Sequence, residues 1–299
     1  MPGARKTRIR RAAFSIIGLL LMARYAPAQA QLTIVSAADY TDFPLAPDSL
    51  VSIFASNIAT GTFVATSQAP APLPTSLGGV SATITDAAGN TLPIPLIAVT
   101  PGQINAVLPN GSQTGPAIVT VTSSIGAKIS GNMTLYAVGP SLFTADETGG
   151  WLAAAQVVVT HADGSQTFMA SVATCGNNLV WNGMTWSDCV PIPISLGSAT
   201  DEVVLELYGT GIRGVSSVLA LCPNCGYVPV TVGGLTVLYA GAQGAGGPGS
   251  FYGLDQINVV LPHYLAGSGV IPLMATVLAG YISGEGEGDD SNTVYIDIQ

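Results

Sequence analysis

A stretch of this chain occurs twice. Gln103-Ile104-Asn105-Ala106-Val107-Leu108-Pro109 returns as Gln256-Ile257-Asn258-Val259-Val260-Leu261-Pro262, displaced by 153 positions; Thr100-Pro101-Gly102 precedes the first copy and Gly253-Leu254-Asp255 the second. Upstream, Val51-Ser52-Ile53-Phe54-Ala55-Ser56-Asn57-Ile58 aligns with Leu205-Glu206-Leu207-Tyr208-Gly209-Thr210-Gly211-Ile212, displaced by 154 positions. Leu77-Gly78-Gly79-Val80 has its counterpart in Val232-Gly233-Gly234-Leu235. Three matched blocks in the same order at nearly one offset imply two copies of one structural unit, with a boundary near Gly139-Pro140.

The repeated unit reads as β-structure. Short runs rich in β-branched residues recur at 50–54, 80–85, 104–108, 118–122, 203–208, 228–232, 235–239, 257–261 and 293–298, separated by Gly, Pro and Asn. The 36 glycines and 20 prolines would interrupt any long helix, and no stretch keeps a helical apolar period between caps. The expected fold is all-β, two tandem Ig-like β-sandwich domains after a cleaved signal peptide. The segments are 1–30 for the leader, 31–138 for the first sandwich, and 139–299 for the second with an insertion at about 170–193.

The leader rests on Arg5, Lys6, Arg8, Arg10 and Arg11, the apolar run 12–22, and the small residues of Ala28-Gln29-Ala30. The apolar run is well short of the ~20 residues that cross a bilayer as a helix, and no later segment looks transmembrane. Cleavage leaves only Lys128 and Arg213 against all 17 acids, a net charge of −15. Such a surface has no cations to displace counterions from phosphates, so nucleic acid is not an expected partner and anionic membrane is an unfavourable one. The reading places the chain outside the cytoplasm, secreted to the cell surface, the periplasm or the medium.

In an oxidising compartment four cysteines are most simply two disulfides, with Cys175–Cys189 and Cys222–Cys225 the preferred pairing of three. A four-thiolate zinc site is the alternative, although the first pair lacks the usual close spacing. A redox-active Cys222-Pro223-Asn224-Cys225 would need a helix N-terminus to lower a thiol pKa, and the surrounding residues offer none.

The motifs LAPDSLVSIFASNIA, PLPTSLGGVSATI, VTPGQINAVLP, VGPSLF, LYGTGIRG, VTVGGLTVLYAG, LDQINVVLP and SNTVYIDI span nearly all of the chain after residue 30. In these the chain resembles the Ig-like domain pair of exported acidobacterial proteins, the Solibacter-type C-terminal domain. It also resembles IPT/TIG-type Ig-like domains in the strand-then-Gly-or-Asn pattern of FASNI and YGTGI. The departures are the cysteine-bearing stretch 170–193, the Cys222–Cys225 turn, and the Gly-rich and acidic loops. The resemblance implies paired sandwiches and export and brings no catalytic residues with it.

Catalytic chemistry is not signposted. The two histidines, His161 and His263, stand in polar or post-strand contexts and read as surface residues, and Asp201 with Glu202 sits at a strand entrance. No GxSxG or HExxH is present. The Gly-rich run 241–249 lacks the Lys-Ser or Lys-Thr ending of a phosphate loop and reads as a strand connection. Glu285, Glu287, Asp289 and Asp290 could offer oxygen to calcium but do not match a helix-loop-helix site and read as a solvated loop. The sequence therefore points to no cofactor and no metal.

The sharpest local feature lies between Cys175 and Cys189. Asn182-Gly183 is a strong two-residue hairpin signal, and in that register Trp181 opposes Met184 and Leu179 opposes Trp186. Leu179, Trp181, Met184 and Trp186 would then share one face of a ribbon. That face either packs against the second sandwich or the domain junction, since tryptophans in water forgo a large burial gain, or stands out as an aromatic platform. In the second case Trp181 and Trp186, with Asn177, Asn178 and Asn182 as polar neighbours, would stack on a sugar ring or engage a protein.

The functional expectation is a non-catalytic exported binding or structural module, recognising a glycan or protein at its loops or assembling through an edge strand. The alternative is a secreted polysaccharide hydrolase whose carboxylates converge only in the fold, which requires a cleft holding two of them.

Overall fold

The computed structural model describes residues 31–42, 44–66, 71–181, 186–213, 228–239, 243–244, 251–277 and 289–299. The leader at 1–30, the Cys222–Cys225 pairing, most of the 241–249 run, and Glu285 and Glu287 lie outside the described residues.

The described chain is built from antiparallel sheets, and its single helical element is a 3₁₀ turn at His263–Leu265. In the first half, Thr33–Ser36, Leu50–Phe54, Gln103–Val107, Leu96–Val99 and Phe63–Val64 form one sheet in that order. A second sheet orders Lys128–Leu135, Gly115–Thr122, Val80–Thr85 and Ser76–Leu77, with Thr91–Pro93 also paired to Val80–Thr85. Strict alternation aims Val80, Ala82 and Ile84 inward from one sheet and Val51, Ile53, Ile104 and Ala106 from the other, and these interdigitate in one buried cluster. Later in the chain, a sheet centred on Ala155–Thr160, Glu202–Thr210 and Asp255–Val260 packs on one made of Leu235–Tyr239, Val228–Val232, Gly269–Val277 and Val294–Ile298. Its apolar cluster runs from Val138 to Ile298, whereas the first runs from Leu32 to Leu135, so the two buried cores part between Leu135 and Val138.

The sequence repeat is a repeat of strand pairing. Ser52 lies opposite Asn105 and Ile53 opposite Ile104; at the matching positions Glu206 lies opposite Asn258 and Leu207 opposite Ile257. Both Gly-Gly dipeptides are two-residue hairpin turns, closing Leu77 on Val80 and Val232 on Leu235, with positive φ at all four glycines as the right-handed twist of a hairpin requires. Asn57 and Gly211, aligned by the repeat, both adopt left-handed φ, of 59° and 75°.

The copies differ in which arm of the Gly-Gly hairpin continues the sheet. In the first copy the second arm, Val80–Thr85, pairs with Gly115–Thr122; in the second the first arm, Val228–Val232, pairs with Gly269–Val277. Burial follows the exchange: Val80, Ala82 and Ile84 form the alternating buried face in the first copy, and Val228, Val230 and Val232 in the second, where Leu235 beyond the turn is exposed.

The insertion forms a separate two-stranded ribbon, Ala173–Trp181 with Trp186–Pro191, closed by a Cys175–Cys189 disulfide. The expected tip register does not hold: Trp181 pairs with Trp186, not Met184, so the connection is 182–185 rather than the dipeptide Asn182-Gly183. Cys175 lies directly opposite Cys189, and the register slips between Cys175 and Val180. The covalent pair pins the base, and the longer first strand absorbs its extra residues as a bulge, so the turn no longer dictates the register. At the base, Ala173 and Cys189 pack against Trp151 and Leu152, and Trp151 lies 5.2 Å from the Tyr295 ring.

A disulfide closing a loop of about 15 residues stabilises by about 3 kcal/mol in the chain-entropy estimate. Changing both Cys175 and Cys189 to serine is expected to lose most of this from the ribbon, read as lower hydrogen-exchange protection over 173–191. Unchanged protection would mean that packing on Trp151 is sufficient to hold it.

Candidate functional site

Between the two cores sits a cation bridged to two carboxylates. Arg213 follows the Thr210-Gly211-Ile212 turn at the end of Glu202–Thr210; its Nε donates to Asp255 Oδ1 at 2.5 Å, Nη1 to Asp48 Oδ2 at 2.9 Å, and Nη2 to the Leu254 carbonyl at 2.6 Å. Asp255 has no exposed surface, and its Oδ2 also accepts the backbone N–H groups of Ile212 at 2.7 Å and Arg213 at 3.2 Å. Burial drives the Asp255 carboxyl above the usual carboxylate range, and Arg213 with the two amides offsets part of that. Burial also opposes the Arg213 charge, but attraction to Asp255 and Asp48 outweighs it and holds the guanidinium above its ordinary value.

The same junction is stitched by a hydroxyl. Thr210 Oγ1 donates to the Gly253 carbonyl at 2.7 Å and accepts the Leu50 N–H at 2.7 Å. Neither Arg213 nor Asp255 is repeated in the first copy, where Ala59 and Gly102 occupy the aligned positions. The polar bridge belongs to the second copy alone and reaches across to Asp48.

Beside this bridge opens a cleft of about 1190 Å³ with walls from both halves of the chain. Aromatic rings line it: Tyr40 from the first half, with Phe143, Tyr208, Phe251 and Tyr252 from the second. Tyr40 is 44 % exposed and Phe251 73 %. Burial, then the Glu206 carboxylate, raises the Tyr208 phenol above its ordinary pKa, so at neutral pH the hydroxyl keeps its proton. The Tyr252 hydroxyl is buried without a hydrogen-bond partner among the described residues.

The repeated Gln-x-Asn motif supplies polar groups to this cleft. Gln103 and Gln256 each donate Nε2 to the Oδ1 of the asparagine two residues on, both at 2.7 Å, so the two amides of each motif lie side by side on one strand face. Ser52 donates to Asn105 at 3.2 Å, and in the second copy Gln156 donates to Glu206. Gln103, Asn105 and Gln256 all line the cleft. The Gln103 and Gln256 Oε1 acceptors and the Asn105 Nδ2 donors have no partner among the described residues.

The carboxylate that lines the cleft, among the described residues, is Glu147. The carboxylates that do converge, Asp48 and Asp255, are joined through Arg213, and the second is sealed from solvent. His161 and His263, read as surface residues, are half-buried and both tied to Asp201. His161 Nδ1 lies 3.4 Å from Asp201 Oδ2, and His263 Nε2 2.9 Å from the Asp201 carbonyl. Hydrogen bonds from Ser198, with His161 beside it, hold Asp201 below the usual carboxylate range. The disulfide leaves neither Cys175 nor Cys189 as a thiolate for zinc.

Of the ribbon residues read as a binding platform, Trp181 and Trp186 are backbone partners, while Asn178 lies on the same strand as Cys175. Their side chains, and Asn182 as a whole, lie outside the described residues. The cleft was missed at the sequence level. Its available signals were the repeated Gln-x-Asn, hydrophilic in an otherwise apolar strand, and Arg213, one of two basic residues after residue 30.

No family model matches this chain, and no curated protein matches it. Among solved structures it is similar to the SGBP-B protein of the Bacteroides ovatus mixed-linkage glucan utilization locus, in complex with a mixed-linkage heptasaccharide. The identity is 10%, the TM-score 0.30, and the match covers 85% of this chain and 43% of that one. The chain thus spans under half the length of that protein. It is also similar to a tetra-tandem repeat from the extending region of a large adhesion protein, at 16% identity and TM-score 0.21, covering 90% of this chain and 74% of that one. Murine CEACAM1b is similar at 11% identity and TM-score 0.19, with 90% and 100% covered.

Proposed function

We propose that this chain is an exported, non-catalytic binding module of two tandem Ig-like sandwiches, with a leader removed near residue 30 and a ligand site in the cleft between the repeats. The observation carrying this reading is the cleft itself, in which exposed rings and amide side chains from both halves line one space. A ring left in water forgoes a burial gain that a ligand can recover, and exposed aromatic anchors are characteristic of recognition sites. Export is supported by the basic and apolar leader and by the disulfide, which persists in oxidising compartments. The acidobacterial domain-pair resemblance remains part of the same proposal.

The test compares the exported chain with a Tyr40→Ala, Phe251→Ala double variant in binding to soluble polysaccharides and extracellular proteins. Because both rings are substantially exposed, thermal unfolding should be unchanged while affinity falls roughly tenfold or more. Equal binding by both proteins would remove the cleft as the site. Shortened products after incubation with polysaccharide would favour the hydrolase reading instead.

A further inference from the structure

We infer that the occupant of this cleft is an uncharged oligosaccharide segment of a longer glycan; this rests on the cleft being the binding site and names the chemistry it takes. A pyranose ring has an apolar face of C–H groups and an edge of hydroxyls that both donate and accept. The cleft offers both complements. Tyr40, Phe143, Tyr208 and Phe251 provide aromatic rings, while Gln103 and Gln256 provide Oε1 acceptors and Asn105 Nδ2 donors that have no partner among the described residues.

Size and charge narrow the ligand further. At about 1190 Å³ the cleft exceeds the ~300–1,000 Å³ usual for a small-molecule pocket, which suits several linked sugars better than one. Among the described residues lining it there is no Lys or Arg, and Glu147 is negative. With two cations against 17 acids beyond the leader, an anionic chain such as a uronate polymer meets repulsion at long and short range. An apolar peptide face would cover the rings but strand the amides without partners, at about 1–3 kcal/mol for each buried group.

The Tyr252 hydroxyl is buried without a partner among the described residues, which costs folding free energy and leaves it no surface for a sugar to contact. Tyr252→Phe is therefore a control: it should leave the thermal midpoint unchanged or raise it, and leave glycan binding unchanged.

The probes are hexasaccharides of β-linked glucose, mannose and xylose and of α-linked glucose, with hexagalacturonate as the anionic comparison, titrated calorimetrically into the exported chain. At least one uncharged hexamer should bind saturably and at least tenfold tighter than hexagalacturonate, with Gln103→Ala and Gln256→Ala each weakening it about fivefold to tenfold. The inference is overturned if no uncharged hexamer binds, if hexagalacturonate binds as tightly, or if Gln103→Ala and Gln256→Ala both leave affinity unchanged. Should no hexamer bind while an extracellular protein is lost on Tyr40→Ala with Phe251→Ala, the sugar is wrong and the cleft stands. Loss of neither sinks both.

Discussion

Replacing Arg213 with alanine is expected to destabilise the chain by about 3 kcal/mol or more, because it strands a carboxylate that has no exposed surface. Asp255 keeps only the Ile212 and residue-213 amides after the change, and Asp48 and the Leu254 carbonyl lose their donors as well. The Arg213 side chain is itself 25 % exposed, which places the expectation at the lower end of the ~3–5 kcal/mol found for broken buried pairs. Lysine should rescue little, since a single ammonium cannot reproduce three donors aimed at two carboxylates and a carbonyl. Urea unfolding at neutral pH reads the effect. A loss below about 1 kcal/mol would mean that water reaches Asp255 and substitutes for the guanidinium.

Gly211→Ala is expected to cost at least as much, read first as failure to accumulate folded protein. A left-handed φ costs an L-residue with a Cβ about 1–2 kcal/mol, and Gly211 holds φ at 75°. The added Cβ would also lie 2.1 Å from the Gly139 carbonyl oxygen, a backbone atom that also accepts no displacement cheaply, since Gly139 donates its N–H to the Gly211 carbonyl at 2.8 Å. Overpacking of this kind adds about 1–3 kcal/mol. The repeat supplies the control: Asn57 adopts the same backbone region, so Asn57→Gly should change stability by less than about 1 kcal/mol. If Gly211→Ala proves as mild as Asn57→Gly, the crossing of the chain at Gly139 is looser than this geometry requires.

Much of the fold was legible because its determinants are local. Strands 50–54, 80–85, 228–232 and 235–239 match their apolar runs residue for residue, and the Gly-Gly turns follow from the need for two positive φ angles in a tight hairpin. The match of Cys175 to Cys189 was readable from spacing and turn signals, while the tip register was not, since a bulge invisible to pattern reading lies between the base and the tip. Trp151, which carries the ribbon's base, gave no sign in sequence of the partner it packs on.

The amino-acid order by itself determined the β class, the strands that match their apolar runs, the duplication and the Gly-Gly turns, because alternation and glycine φ act over a few residues. Only the tertiary structure decided which hairpin arm joins each sheet, which acids face Arg213, and that Tyr40 and Phe251 share one cleft with Gln103 and Gln256. Those depend on contacts between residues far apart in the chain, from Thr85 opposite Ile118 to Asp48 on Arg213 165 positions away, whose free energy is set by burial and geometry that no local window contains.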